Sequence, residues 1–319
     1  MKKISQLITT VFLLITGISQ AQDFAQVDAL VKQYPKSFKN AEALGDRVAT
    51  DFKREDEKAR ALFTWIAYNI QYNTDPAALG RKPVRYTYSS EEERLRKIAE
   101  IENELADETL KKKKAVCHGY SMLYTLAARR AGLESELIYG TAKSRPQDIG
   151  KLPGTSNHAW NAVKINGQWK LLDVTWGAGG MMGGSRAFNF NFDDKYFAAD
   201  PDMFFLNHFP DDKKWLLTDK KEQDFAELPL YYDLGYQLIQ PDFGVVKASG
   251  SGLMPFRIKG IKPTDEVAYQ FTSGKFSNRV TPTFNNGVAE FNVMIGKGGL
   301  GTLTIFVNKV SVAAYKLVR

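Results

Sequence analysis

One cysteine and three histidines are all the thiol and imidazole that 319 residues contain. A single sulfur excludes a disulfide framework and a thiolate zinc cage, because both need several cysteines. Strong charge of one sign is also missing: 43 basic residues stand against 36 acidic ones, for a net +7. The one basic run, Lys111 to Lys114, follows a glutamate-rich stretch and has no aromatic residues between its lysines. That pattern fits a solvated charged face and excludes a nucleic-acid partner. Glycine gathers at Gly177 to Gly184 after a strand pattern, without the lysine and helix start that cradle a phosphate, so it is a flap or a linker. No cofactor is expected. With 44% hydrophobic and 25% charged residues, what remains is an ordinary globular chain long enough for two domains.

A long apolar run is absent too, and the nearest approach to one lies at the start. Residues 1–21 carry Lys2 and Lys3, a short apolar stretch from Ile8 to Ile18, and then Ser19-Gln20-Ala21. The stretch is too short to cross roughly 30 Å of hydrocarbon. Charged start, apolar middle and small-x-small end together are the pattern of a cleaved signal peptide. The expected mature chain begins near Gln22, carries +5, lies in the periplasm or outside the cell, and has no integral membrane segment. An uncleaved anchor is the alternative.

From 22 to 110 the pattern is mainly helical, with Leu62, Trp65, Ile66 and Ile70 on one stripe and a charged, exposed helix from Glu91 to Glu108. Pro76, Gly80 and Pro83 mark a loop between them. The stretch from 115 to 132 has Tyr120, Leu123, Tyr124, Ala127 and Ala131 on one stripe and ends at Gly132, a natural C-terminal cap. A strand is expected at about Leu137 to Tyr139, then a hairpin with His158–Ile165 and Gln168–Trp176 joined by Asn166-Gly167. Beyond about Gly244, Ala289, Phe291, Val293 and Ile295 alternate with Glu290, Asn292 and Met294, and Asn285-Asn286-Gly287 and Asn308-Lys309 look like hairpin turns. About eighty residues of this kind predict a small β-sandwich. The expected divisions are 1–21 leader, 22–110 helical part of the core, 111–240 catalytic core and 241–319 sandwich.

Cys117 opens the helix that ends at Gly132, where free backbone N–H groups and the helix dipole favour a thiolate. A nucleophilic thiol needs a base, and hairpin geometry selects one. With Asn166-Gly167 as a two-residue turn, Ile165 faces Gln168, so Asp173 falls opposite Trp160 and diagonal to His158. Cys117, His158 and Asp173 thus form a candidate triad in which the carboxylate orients the imidazole. Read the same way, His118 points elsewhere and His208 is a packed turn residue. A metal site on Cys117, a histidine and Asp173 has no ligand-spacing motif to support it, and none is expected.

Three strings, AVCHGYSMLY (115–124), NHAWNAVKINGQWKLLDVTWGAG (157–179) and FLNHFPDDKKWLL (205–217), resemble the transglutaminase-like superfamily and within it the kyphoscoliosis-peptidase-like branch. The resemblance spans about residues 55 to 235. It implies an α+β, papain-like core, with the cysteine helix packed on an antiparallel sheet. It further implies that Cys117 is the nucleophile, His158 the base and Asp173 the orienting acid. Tyr72 stands where related proteins place an aromatic segment and is a candidate oxyanion donor; Trp160 and Trp176 are candidate cleft walls. The expected function is an exported cysteine enzyme acting on protein or peptide amide bonds, with hydrolysis preferred because no calcium-loop or acceptor-amine pattern is legible. A true acyl transferase and a silent binding protein of the same fold are the alternatives.

Overall fold

The computed structural model of the chain describes residues 24–75, 86–181, 187–247, 252–274, 276–296 and 301–318. The expected leader, the loop prolines Pro76 and Pro83, and part of the glycine-rich stretch lie outside these residues. Among the described residues no helix is long and apolar enough to cross a membrane.

Among the described residues, five helices build the first half: α1 (Ala25–Val31), α2 (Ala41–Asp51), α3 (Glu55–Asn69), α4 (Glu91–Lys112) and α5 (Cys117–Arg130). Asn40 caps α2 by accepting from the Ala43 N–H at 3.0 Å. The predicted stripe of α3 is buried at Leu62, Trp65 and Ile66, and Ile70 follows it into the core. Arg60, 4% exposed, binds Asp28 through two nitrogens at 2.9 and 2.7 Å and so fastens α1 to α3. α4 has Glu91, Glu92 and Glu93 in its first turn and Lys111 and Lys112 in its last, a distribution that complements the helix dipole. It buries only Ala106, Thr109 and Leu110, as an exposed helix should.

Two short strands, β1 (Gln71–Tyr72) and β2 (Lys114–Ala115), pair in parallel and aim the chain into α5. The core sheet follows, with β3 (Ser135–Ala142), β4 (His158–Ile165) and β5 (Gln168–Leu172). Asn166 and Gly167 both have positive φ, 51° and 77°, as a tight two-residue turn requires, and the register is Ile165↔Gln168 to Asn161↔Leu172. Almost all of β4 is buried, because the sheet is covered on both faces.

The predicted second hairpin strand stops early. Asp173 leaves the ladder and caps a short helix, α6 (Val174–Ala178), accepting from the Trp176 N–H at 3.0 Å. Val174, Thr175 and Trp176 have strand propensity, yet the Asp173 N–H goes to Tyr196 O and Ala199 bridges Leu171, so other chain segments take the ladder's place. A ribbon of β6 (Gly179–Met181) and β7 (Phe188–Phe190) comes next, then α7 (Pro201–Phe205), β8 (His208–Pro210) and α8 (Glu222–Glu227). β8 joins the core sheet beside β3, completing the antiparallel order β5-β4-β3-β8.

The remaining strands are β9 (Leu230–Tyr231), β10 (Gln237–Gln240), β11 (Val245–Lys247), β12 (Gly252–Lys259), β13 (Val267–Phe271), β14 (Asn278–Val280), β15 (Thr283–Asn285), β16 (Val288–Ile295), β17 (Gly301–Val307) and β18 (Val310–Val318). They form two sheets, β10-β12-β16-β15 and β11-β18-β17-β13-β14, with β9 also on β18. Ala289, Phe291, Val293 and Ile295 are buried as their alternation predicts. Strands β9 and β10 already pair with sandwich partners, ahead of residue 241. They are too short for their alternation to mark them in the sequence.

Candidate active site

The sheet brings three polar side chains to one place. His158 is paired with Gly140, and His208 with Ala142, on opposite sides of β3. Because alternate strand residues share a face, Gly140, Ala142, His158, Trp160 and His208 all lie on the same one. The small residues between the histidines leave room for both rings. A Cβ on Gly140 would sit 2.2 Å from Phe209 O and 2.5 Å from the Trp160 ring, so glycine is required there.

Asp173 sits between the two imidazoles with 0% exposure. Its Oδ2 meets His158 Nε2 at 2.7 Å and His208 Nε2 at 3.1 Å, while Oδ1 accepts the Trp176 N–H. Burial alone would raise its pKa. The charge and hydrogen bond of His158, with the bond from His208, reverse that and hold the carboxyl well below its usual range. Burial likewise works to lower His158, but Asp173 and then Cys117 outweigh it and raise its pKa above the ordinary value. Cys117 is among the groups that raise His158, so its thiol lies within electrostatic reach of the imidazole. Asp173 occupies Nε2, which leaves Nδ1 for the sulfur.

Cys117 is half-buried at the first position of α5, ahead of the helical hydrogen-bond ladder. Asn161, on the opposite face of β4 from His158, donates to Ser121 O at 3.0 Å and Thr125 Oγ1 at 2.8 Å, fixing the cysteine helix against the histidine strand. Tyr72 lies within electrostatic reach of Cys117 and Asp173; burial first, then those charges, push its hydroxyl up to about 12, so it stays a donor. Trp176 and Trp160 flank His158 with ring centres 5.4 and 6.0 Å away. His118 turns aside to Tyr139, 2.8 Å from its hydroxyl. Beside the cysteine a groove of about 260 Å³ runs past Asn73, Thr109, Ala115, Val116 and His118.

His208 was expected to pack in a turn, and Asn161 carried no expectation. The structure places the first on Asp173 and the second between α5 and β4. Their only trace in the sequence is their place inside the NHAWN and FLNHFP strings. His158, Asp173 and His208 also form a group whose ligand atoms lie within 4.8 Å of one another. A tetrahedral zinc with ligands about 2.0–2.2 Å away holds neighbouring ligand atoms roughly 3.3 Å apart. The 2.7 Å His158–Asp173 contact is a hydrogen bond instead, with both histidines turned to one oxygen.

Residues 42–174, which include Cys117, His158 and Asp173, match the family model of the transglutaminase-like superfamily. Kyphoscoliosis peptidase of Mus musculus is 29% identical over 215 residues, covering 65% of this chain and 30% of the relative. That of Homo sapiens is 27% identical over 254 residues, covering 76% and 35%. Over residues 42–174 the chain is thus similar to transglutaminase-like domains, and over about two thirds of its length to the kyphoscoliosis peptidases. It spans about a third of the length of the curated relatives it matches. A solved structure described as a TGase is 18% identical, covers 57% of this chain and 40% of that one, and superposes with a TM-score of 0.29. Within the matched residues, the helix bearing Cys117 packs on the antiparallel sheet bearing His158.

Proposed function

We propose that the protein is an exported cysteine hydrolase of peptide or side-chain amide bonds, working through Cys117, His158 and Asp173. The observation that carries this reading is the buried His158–Asp173 contact at 2.7 Å, with Cys117 within electrostatic reach of the same imidazole. A raised imidazole pKa beside a thiol favours the thiolate–imidazolium pair. The thiolate sulfur forms a bond to the acyl carbon. The carbon–nitrogen bond then breaks as His158 gives its proton to the leaving amine. Water adds next, passing a proton to His158, and the sulfur–carbon bond breaks to release the acid and restore the thiolate. The free N–H of Cys117 and the Tyr72 hydroxyl are the donors for the developing oxyanion. Substrate lies along the groove lined by Asn73, Val116 and His118, the last two flanking Cys117 in the chain. Export rests on the leader pattern at 1–21.

Alkylation of Cys117 in the folded protein as a function of pH tests the pair. Rapid reaction persisting well below the free-thiol pKa of about 8.5, and weakened in His158→Ala, is the expected result. A thiol that reacts only on unfolding would overturn the enzyme reading. Peptide substrates offered with and without a primary amine then separate hydrolysis from acyl transfer.

A further inference from the structure

The triad accounts for one of the two imidazoles on Asp173. His208 is the other, and its surroundings are unusual for a packing residue. Both of its ring nitrogens face oxygen acceptors: Nε2 meets Asp173 Oδ2 at 3.1 Å, and Nδ1 meets Phe204 O at 3.2 Å. A neutral imidazole has one N–H, so it makes one of these bonds; an imidazolium makes both. The ring cannot swing to resolve the conflict. It stacks on Phe204 with centres 4.0 Å apart, and its strand is fixed on both sides of the side chain. Ala142 pairs with His208 itself, and Asn207 donates to Lys143 O and Tyr231 O.

The ionisable groups facing His208 are few. Asp173 and His158 are in contact range; Tyr72 and Tyr196 lie within reach of Asp173, and burial keeps both protonated. Trp160, Trp176 and Phe204 supply the remaining walls. Burial lowers the pKa of His208, Asp173 opposes that, and the charge of His158 adds to the lowering. At neutral pH the ring therefore donates Nε2–H to the carboxylate, its stronger acceptor, and leaves Nδ1 facing Phe204 O.

We propose that His208 is a positioning residue and the acid-sensitive member of a His158–Asp173–His208 relay. When neutral it holds Asp173 Oδ2 toward His158; when protonated it gains the Phe204 bond, tightens on that oxygen, and disengages the Cys117–His158 pair. The proton involved comes from solvent and returns to it, so no other reactant is needed. This inference rests on the thiol–imidazole reading above.

Iodoacetamide alkylation of Cys117 across the acid-to-neutral range tests it in wild type, His208→Gln and His208→Phe. Glutamine keeps a donor at the reach of Nε2 and cannot titrate; phenylalanine keeps the packing and loses the donor. At neutral pH the glutamine variant is expected near the wild-type rate, and the phenylalanine variant lower by about tenfold or more. The acid limb is expected to depend on two protons in wild type and on one in His208→Gln. Should His208→Phe fail to fold, the slope of the glutamine variant decides alone. Wild-type rate and slope in both variants, or an equal fall with unchanged slope, would show His208 to be packing only. A wild-type thiol that is silent until unfolding overturns the relay together with the function it serves, whereas a reactive thiol indifferent to His208 overturns the relay alone.

Discussion

The two halves of the molecule bury different chemistry. Among the described residues, every buried Asp, Arg, Lys, His, Asn, Ser or Thr lies between Asp56 and His208. The sandwich strands bury apolar side chains with Tyr231 and Tyr315, the latter's hydroxyl donating to Pro241 O at 3.3 Å. A buried polar group costs stability unless it is fully paired, so a region that gathers many of them is specified by more than packing. The core does so around one carboxylate. Even there the accounting is incomplete: Trp160 Nε1 and Thr175 Oγ1 are buried without a hydrogen-bond partner among the described residues. The sandwich is built for stability; the core accepts polar burial to hold a thiol, two imidazoles and an acid in place.

Asp173→Asn should produce the largest break between the two regions. It removes the charge that raises His158, so thiolate reactivity near neutral pH should fall at least about a hundredfold, by analogy with loss of the orienting acid in serine enzymes. Stability should change with pH in a defined sense. A histidine whose folded pKa lies above its unfolded value of about 6.5 contributes stability that is full below that value. The contribution is lost as pH rises through the raised value. Denaturant titrations over that alkaline window should therefore slope downward in wild type and flatten in the variant. An unchanged slope would mean that His158 and Asp173 are not coupled in the fold.

Phe256→Ala is the counterpart in the sandwich. Phe256 is fully buried, stacked on Phe291 at 5.3 Å and edge-on to Tyr315 at 5.3 Å. Truncation should cost about 3–5 kcal/mol by thermal or denaturant unfolding. The alkylation profile of the protein that remains folded should not move. A shift in that profile would mean that the sandwich helps set the site, and the contrast between the halves would fail. Asn161→Leu lies between these extremes. It removes the amide that donates to Ser121 O and Thr125 Oγ1, at about 1–3 kcal/mol, and loosens the Cys117 helix from the His158 strand. Stability and alkylation rate should fall together, unlike in Phe256→Ala.

What was legible in the sequence follows the range of the forces involved. The Asn166-Gly167 turn and the alternation of β4 are local, and they suffice to pair Ile165 with Gln168 and to put His158 beside Trp160. The place of Cys117 at a helix start is local as well. Asp173 was harder. Its neighbours have strand propensity, and what turns it into a helix cap is Tyr196 O accepting its N–H from more than twenty residues away. That turn leaves both carboxylate oxygens free to gather donors, which a strand position would not have revealed. His208 was out of reach for the same reason: it meets Asp173 only because β8 pairs with β3, a contact between short strands with no periodicity to announce it.

The smallest expected effects lie in the turns, and they test whether the two halves share the same local rules. Asn166 and Asn286 have nearly the same left-handed φ, 51° and 49°, each followed by a glycine with positive φ. Asparagine tolerates this conformation better than alanine does, because its side chain bonds locally. Asn166→Ala and Asn286→Ala should each lower stability by about 1 kcal/mol. Neither side chain approaches the site, so Cys117 alkylation should be unchanged in both. A larger loss at Asn166 would have one local candidate, since its backbone N–H donates to Glu55 Oε2 at 2.6 Å and ties the hairpin tip to α3. Glu55→Gln keeps an acceptor there without the charge. If it reproduced the excess loss, the core turn would owe its extra stability to that charged contact with α3, a tertiary tie that the otherwise similar sandwich turn lacks among the described residues.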